Sequence, residues 1–348
     1  MAKKGTSGQV ALVEQAAGGD PALERHLELA YLKKARAVHL PTPLAPISDT
    51  HAHLMSFWRV DPVFALARAA RAGVRRLVSI WDPLADARTA PTAADFHALL
   101  EGWLAAADDA LRPSDEGGLP GPSRGERELF GHVGYLAGVH PYGAPRYTDE
   151  VHGQVLEALE DPLCLGVGEI GLDYHFDAED DIEAAPHDVQ MACMARQLAV
   201  AVERELPVEL HLRNDPADEA RAAHADAYRV LQEVGVPKAG CVLHCFGEDR
   251  ATMERFVELG CSIAFGGAAT FKGNEEVREA FAAAPLDRIV FETDCPYMAP
   301  EPIRGLECEP AMIALTQEAL CRDRAERTGE DPVAIARSAW ENSLRLFG

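Results

Sequence analysis

The sequence lacks any uninterrupted run of about 18 apolar residues, the length that a membrane-spanning helix requires. Near its start, Lys3 and Lys4 are followed by the small and polar residues 5–9, where a secretory signal would have its apolar segment. Its eight cysteines are scattered through apolar segments, without the spacing of a disulfide framework and without a Cys-x-x-Cys pair. These absences predict a cytoplasmic protein with reduced thiols and no membrane partner.

Basic residues are also scarce, because 33 Lys and Arg stand against 56 Asp and Glu, which gives a net charge of −23. Affinity for polynucleotide phosphates is largely electrostatic, so this charge excludes broad nucleic-acid binding along an extended basic surface. Hydrophobic residues make up 47% of the 348 residues and charged residues 26%, a composition typical of globular proteins. A collagen-like, low-complexity or disordered chain is excluded.

Residues 1–47 are predicted to form a helical N-terminal extension that ends in a proline-rich linker. Asp20 is a candidate N-cap, and Pro21 suits a first helical turn. Apolar residues follow at helical spacing, and prolines then interrupt the pattern: Leu23, Leu27, Ala30 and Tyr31, then Pro41, Pro43 and Pro46. We therefore expect a boundary at this linker, with a single main domain over residues 48–348.

The main domain alternates short apolar runs with helical patterns. Eight candidate strands are present, at 47–50, 76–80, 135–139, 164–167, 207–212, 241–243, 262–265 and 288–292. The longest helical patterns between them are 62–72, 93–111, 189–205 and 217–233. Eight strands separated by helices predict a parallel (β/α)8 TIM barrel. A doubly wound open sheet is the alternative, but no glycine-rich dinucleotide fingerprint follows the first strand. Two insertions interrupt the pattern, a loop-like segment at 113–131 and an acidic one at 177–188.

Metal-ligating side chains stand at the ends of five predicted strands. His51 and His53 are two residues apart in an extended segment, so both can reach the same ion. The other candidates each follow or end a separate strand: Glu169, His211, His244 and Asp294. Because barrel enzymes place their active sites at the carboxyl ends of the strands, these groups are expected to converge. Four imidazoles and two carboxylates suit two divalent cations, with Glu169 as the bridge between them.

Each of these residues also has a simpler interpretation, since a lone strand-end histidine or carboxylate is usually just a hydrogen-bonded surface group. Joint placement at five strand ends favours the metal site. Cys241 and Cys245 flank His244, and Cys295 adjoins Asp294, so a thiolate-rich zinc site is conceivable. Buried thiols are the favoured interpretation, because neighbours in a strand point to opposite faces.

Several motifs together resemble the TatD family of metal-dependent hydrolases, within the amidohydrolase-like barrel superfamily. The resemblance runs in the family's order through residues 48–348. Its motifs are SDTHAHL at 48–54, GVHP at 138–141, GEIGLDY at 168–174, LPVELHLR at 206–213, HCF at 244–246, ETDCPY at 292–297, APEPIRG at 299–305, EP at 309–310 and NSLRLF at 342–347.

The resemblance implies a role for each candidate. His51, His53, Glu169 and Asp294 would hold one metal, and Glu169, His211 and His244 the second. The candidate ions for both positions are Zn²⁺, Mn²⁺ and Mg²⁺. Glu169 and Asp294 are also the catalytic candidates, joined by His140, which would lie behind the ligands or contact a phosphate. Arg213 and Arg304 are the candidate substrate-binding residues, and Asp173 and Tyr174 would support the site. Residues 1–47 and both insertions lie outside the resemblance.

The activity that the resemblance implies is hydrolysis of DNA phosphodiester bonds, often as a 3′→5′ exonuclease on single strands. Some relatives instead deacylate D-aminoacyl-tRNA. A small-molecule amidohydrolase or lactonase using the same metals is an alternative, as is a non-catalytic metal-binding module. The sequence departs from the family at the pair Gly247 and Glu248, at Cys295 and at Cys308, none of which replaces a proposed ligand. These departures bear on substrate contacts rather than on metal binding.

Overall fold

The computed structural model describes residues 27–111, 127–175 and 184–348. Most of the predicted loop at 113–131 and most of the acidic segment 177–188 lie outside these residues. The same holds for the predicted helix start at Asp20 and Pro21 and for Leu23. Among the described residues, no helix is both long and apolar enough to cross a membrane.

The described part of the N-terminal extension is a β-hairpin, so the prediction of a helix that includes Ala30 and Tyr31 is wrong. Strand β1 (Ala30–Lys33) pairs antiparallel with β2 (Arg36–His39). The two residues between the strands, Lys34 and Ala35, both have positive φ angles, 50° and 59°, as a tight two-residue hairpin turn requires. Tyr31 packs against the core of the main domain, so tertiary contacts outweigh the helical spacing of the apolar residues.

Eight parallel strands form the main domain and confirm the predicted barrel. They are β3 (Ile47–Ala52), β4 (Val74–Trp81), β5 (Val133–Ala137), β6 (Cys164–Asp173), β7 (Val208–Arg213), β8 (Cys241–Leu243), β9 (Ser262–Phe265) and β10 (Ile289–Phe291). Their order in the sheet is their order in the chain, which differs from the reversal of a doubly wound sheet. A helix follows each strand, and one more ends the chain: α1 (Pro62–Arg71), α2 (Ala93–Ala110), α3 (Asp149–Ala158), α4 (His187–Arg204), α5 (Ala222–Val234), α6 (Arg250–Glu258), α7 (Glu275–Ala283), α8 (Ile313–Thr328) and α9 (Pro332–Phe347).

The barrel closes where the first barrel strand meets the segment after the last one. The main-chain N–H of Asp294 donates to the carbonyl of His51 over 3.0 Å, and that of His53 donates to the carbonyl of Cys295 over 2.8 Å. The Thr50 hydroxyl donates to the Phe291 carbonyl at 3.2 Å. This closure brings the His-x-His pair beside Asp294, although 240 residues separate them in the sequence.

Strands β6 and β7 pair at Gly171, where the main chain of β7 leaves no space for a side chain. Its φ angle is 147°, and a Cβ atom at this position would lie 2.0 Å from the carbonyl oxygen of His211. Only glycine fits there, because any side chain would push the two strands apart. The close approach places Glu169 of β6 beside His211 of β7.

Candidate metal centre

The structure brings all six predicted metal ligands together at the carboxyl end of the barrel. His51 lies in β3 and His53 directly beyond it, Glu169 lies in β6 and His211 in β7. His244 and Asp294 follow β8 and β10. Their side-chain donor atoms form two adjacent sets that share Glu169.

The first set surrounds one carboxylate oxygen of Glu169. The Nε2 atoms of His51 and His53 are 3.0 Å apart, and they lie 3.7 and 3.6 Å from Glu169 Oε2. Asp294 Oδ1 is 3.8 Å from His51 Nε2 and 3.5 Å from His53 Nε2. Ligands bound tetrahedrally to Zn²⁺ at about 2.0–2.1 Å are separated by about 3.3 Å, so this spacing fits a divalent ion.

The second set surrounds the other oxygen of the same carboxylate. His211 Nδ1 and His244 Nε2 each lie 2.7 Å from Glu169 Oε1, and they are 3.1 Å from each other. Glu169 therefore presents one oxygen to each set, as a carboxylate that bridges two ions does. Both sets consist of imidazole nitrogens and carboxylate oxygens, a donor type that suits Zn²⁺ or Mn²⁺.

The ionisation states of Glu169 and His51 suit the binding of a metal ion. Burial opposes the charge on Glu169, but the neighbouring side chains of His244 and His211 hold its pKa well below the usual range. Burial, together with the neighbouring His244, keeps the pKa of His51 well below its ordinary value. A charged carboxylate and a neutral imidazole are the forms that bind a metal.

A buried glutamate that the sequence analysis did not single out holds His51 in place. Glu209 Oε2 lies 3.0 Å from His51 Nδ1, and both side chains are fully buried. Glu209 Oε1 has no hydrogen-bond partner among the described residues. The signal in the sequence was a single charged residue in an apolar strand, two positions before His211 and so on the same face. Asp173 accepts in the same manner from His211, with 3.0 Å between Nε2 and Oδ2.

We expect the Glu209→Leu variant to bind divalent metal about 10- to 100-fold more weakly, because a histidine ligand loses the partner that fixes its tautomer and orientation. Glu209→Gln keeps an acceptor for His51 Nδ1 and should lose less affinity for the metal. Titration of the metal-free proteins with Zn²⁺ and Mn²⁺ by calorimetry measures both effects. Equal affinity in Glu209→Leu and the unmodified protein would contradict this role, and thermal unfolding of each variant checks that the barrel is retained.

Two residues at the centre have left-handed backbone conformations. The φ angles of Asp294 and Cys245 are 53° and 47°. Such angles cost free energy in residues other than glycine and are concentrated at functional sites.

The fully buried Glu292 accepts the main-chain N–H of Cys245, and its Oε2 has no partner among the described residues. Burial and the nearby Asp294 raise the pKa of Glu292 well above its usual range.

His140 lies at the edge of the second set, with its Nε2 atom 4.0 Å from Glu169 Oε1. Its Nδ1 accepts the main-chain N–H of Tyr142 over 3.2 Å, so the proton of the neutral ring is on Nε2. Burial, together with His211, lowers the pKa of His140 to about 3. His140 therefore presents a neutral N–H donor toward the centre.

The two predicted substrate-binding arginines lie in different surroundings. Arg213 donates through Nε to both carboxylate oxygens of Asp173, at 3.0 and 2.9 Å, and through Nη2 to the Tyr142 hydroxyl. Its side chain is 38% exposed at the rim of the centre. The guanidinium of Arg304 instead lies over the ring of Phe271, 4.0 Å from its centroid. The structure thus brings Arg213 to the centre, whereas no contact joins Arg304 to the centre among the residues that the structure describes.

Of the predicted supporting residues, Asp173 contacts the centre and Tyr174 points away from it. The Tyr174 hydroxyl donates to Asp226 over 2.9 Å, and its ring stacks on His187 with 3.4 Å between centroids. The eight cysteines form no disulfide. Cys241 and Cys295 are fully buried, in agreement with the interpretation as buried thiols, whereas Cys245 is only partly buried.

Comparison with known proteins agrees with this geometry. Residues 48–348 match the family described as TatD related DNase. The chain is 35% identical over 223 residues to the "uncharacterized metal-dependent hydrolase YcfH" of Escherichia coli (strain K12), covering 64% of this chain and 76% of that protein. It is 33% identical over 218 residues to the "3′-5′ ssDNA/RNA exonuclease TatD" of Rahnella sp. (strain Y9602), covering 61% and 75%.

Among solved structures, the TatD homolog YJJV of Escherichia coli K12 is similar over 87% of this chain and 98% of its own, with 25% identity and a TM-score of 0.65. The family match spans the whole barrel and includes all six predicted ligands. The chain therefore belongs to the TatD related DNase family and is a metal-dependent hydrolase of the TatD type.

Proposed function

We propose that the protein hydrolyses phosphodiester bonds of DNA, as a 3′→5′ exonuclease that uses two divalent ions. The observation that carries this proposal is the orientation of Glu169, whose two oxygens face two separate sets of ligand atoms. The printed name of the Rahnella relative, a 3′-5′ ssDNA/RNA exonuclease, supports the substrate class.

In this proposal, one ion is held by His51, His53, Asp294 and Glu169, and the second by Glu169, His211 and His244. When bound, such a pair of ions lowers the pKa of a water molecule and neutralises charge on the phosphoryl group. Zn²⁺ or Mn²⁺ suits the mixed imidazole and carboxylate ligands, and Mg²⁺ is the third candidate.

Asp294 is the proposed acceptor of the proton from the attacking water. Its side chain is 12% exposed, whereas those of His51 and Glu209 are completely buried. A carboxylate that lies next to the ligand atoms and keeps a small contact with solvent can orient a water molecule and take its proton.

His140 and Arg213 are the proposed contacts to the phosphate. The Nε2–H of His140 can donate to a non-bridging oxygen, since its Nδ1 is occupied by the Tyr142 N–H. Asp173 holds the Arg213 guanidinium at the rim through both of its carboxylate oxygens. A guanidinium fixed in this way can contact an anionic substrate with little further loss of conformational entropy.

Incubation of the purified protein with 5′-labelled single-stranded DNA tests the proposal, with Mg²⁺, Mn²⁺ or Zn²⁺ in turn. We expect stepwise shortening from the 3′ end, no cleavage of circular single strands, and loss of cleavage in the Asp294→Asn variant. Double-stranded DNA and RNA in the same series define the preferred polymer.

The same series includes D-aminoacyl-tRNA and small amide and lactone substrates. Turnover of one of these, with DNA intact under every metal, would overturn the nuclease proposal. The assignment as a metal-dependent hydrolase would stand. No turnover of any substrate, with metal bound, would favour a binding module.

A further inference from the structure

We propose that Trp58, Tyr297 and Met298 form a stacking surface for the bases of a single-stranded nucleic acid beside the metal centre. We call these three residues the aromatic rim. The inference deepens the proposed function and rests on it, because it identifies what recognises the substrate next to the reacting phosphate.

The aromatic rim is an exposed apolar patch in an otherwise acidic protein. Exposed fractions are 41% for Trp58, 47% for Tyr297 and 43% for Met298. The described residues expose only two other large apolar side chains, Leu32 and Leu344, at 72% and 39%. Contiguous exposed apolar groups, unlike scattered ones, are typical of binding sites.

The rim is continuous with the metal centre. Trp58 lies in the segment that joins His53 to α1, and Tyr297 and Met298 follow Asp294. The ring centroid of Tyr297 is 6.1 Å from that of His53 and 6.2 Å from that of Trp58. The aromatic side chains therefore extend outward from one edge of the proposed ligand set, within reach of a nucleotide whose phosphate is at the centre.

The segment that carries Trp58 is held by one carboxylate. Glu307 accepts the main-chain N–H groups of Trp58, Arg59 and Val60, at 2.6, 3.1 and 3.2 Å. Three hydrogen bonds from consecutive residues hold the segment in one conformation. Because the indole is attached to an ordered backbone, less conformational entropy is lost when a ligand packs on it.

The net charge of the protein explains why stacking would be needed. Because its net charge is −23, the protein cannot hold the phosphates of a polynucleotide along an extended surface. Stacking of bases on aromatic rings does not depend on net charge, and every base has a face that can stack. Bases in a duplex are already stacked on one another, so the rim favours single strands.

Direct binding measurements test the rim without relying on cleavage. The metal-loaded protein is titrated with two fluorescein-labelled phosphorothioate oligonucleotides of equal length, oligo(dT) and its abasic counterpart, and Kd is read from anisotropy. We expect oligo(dT) to bind more tightly, and Trp58→Ala to weaken its binding roughly 5- to 100-fold, the effect of losing one stacked base. Binding of the abasic strand should not change.

Two further variants separate stacking from simple apolar contact. Trp58→Phe should retain most of the preference for oligo(dT), whereas Trp58→Leu should lose it. Leu344→Ala removes an exposed apolar side chain from α9 and should change neither Kd. Equal Kd values of the unmodified protein for the two strands would overturn the proposal that the rim stacks bases. Equal effects of Trp58→Ala on both Kd values would overturn it as well.

These outcomes are distinct from those that test the proposed function. If the protein cleaves DNA but shows no preference for strands with bases, the rim alone is wrong. If it prefers oligo(dT) through Trp58 but cleaves no nucleic acid, the nuclease proposal is wrong and the rim stands as a binding surface.

Discussion

Replacing Glu169 by Gln is expected to leave at most one of the two proposed divalent ions tightly bound and to reduce kcat/KM for the proposed DNA cleavage by about 10³-fold or more. In the structure, Oε2 of Glu169 faces His51 and His53, and Oε1 faces His211 and His244. Glutamine keeps the shape of the side chain but directs an NH₂ group at one of the two sets. An N–H donor cannot bind a cation, so one set loses its shared ligand.

Elemental analysis of the purified variant after dialysis against Zn²⁺ or Mn²⁺ measures the stoichiometry, and initial rates on single-stranded DNA measure kcat/KM. Glu205→Gln is a matched control, because Glu205 is exposed and its ion pair among the described residues is with the exposed Lys238, 2.8 Å away. That control should bind metal and cleave like the unmodified protein. Retention of two ions by Glu169→Gln would show that Glu169 does not bridge them.

The barrel could be predicted because each strand carries its own signal. Buried parallel strands are short apolar runs, and all eight runs singled out in the sequence coincide with barrel strands. Their ends agree within two residues, except that β6 continues to Asp173 rather than ending at residue 167. The helix predicted at 217–233 begins later, at Ala222, because Asp218 caps the main-chain N–H groups of Ala220 and Ala222 in the preceding turn.

The hairpin formed by β1 and β2 could not be predicted in the same way. Its turn consists of Lys34 and Ala35, whereas the residues that mark such turns in a sequence are Asn and Gly. The hairpin depends on contacts with the main domain instead: Tyr31 packs on the core, and Lys33 donates to the carbonyl of Arg304. Contacts of this kind, between residues far apart in the chain, are not visible in a local pattern.

The candidate site was predictable as a set of residues but not as a geometry. Strand-end positions indicate which side chains converge, since every parallel strand ends at the same face of the barrel. Which Glu169 oxygen faces which histidines depends on rotamers and on the close approach of β6 and β7 at Gly171. The supporting role of Glu209 depends on a 3.0 Å contact with His51 across the barrel, between residues 158 positions apart. Such contacts exist only once the barrel has closed, so the sequence does not reveal them.

Asp294→Asn is expected to reduce kcat for DNA cleavage by about 10²- to 10⁴-fold, the contribution typical of a positioned general base. Asparagine retains an oxygen that can face His51 and His53, but it cannot take up a proton at neutral pH. The substitution also suits the backbone, because Asn, like Asp, tolerates the left-handed φ of 53° found at this position. Alanine would add backbone strain to the loss of the carboxylate, so Asn isolates the chemical role.

Separate measurements of kcat, KM and metal content show whether Asp294 acts as a proton acceptor or as a metal ligand. A group that only accepts a proton should leave KM within a few-fold and the metal stoichiometry unchanged, while kcat falls. If the variant instead loses one ion and regains activity at high metal concentration, Asp294 acts chiefly as a ligand. Asp226→Asn is the control, because the side chain of Asp226 accepts from Tyr174 and Arg229, both outside the centre, at 2.9 and 2.8 Å. Full activity of Asp294→Asn would remove Asp294 from the mechanism and require another base at the centre.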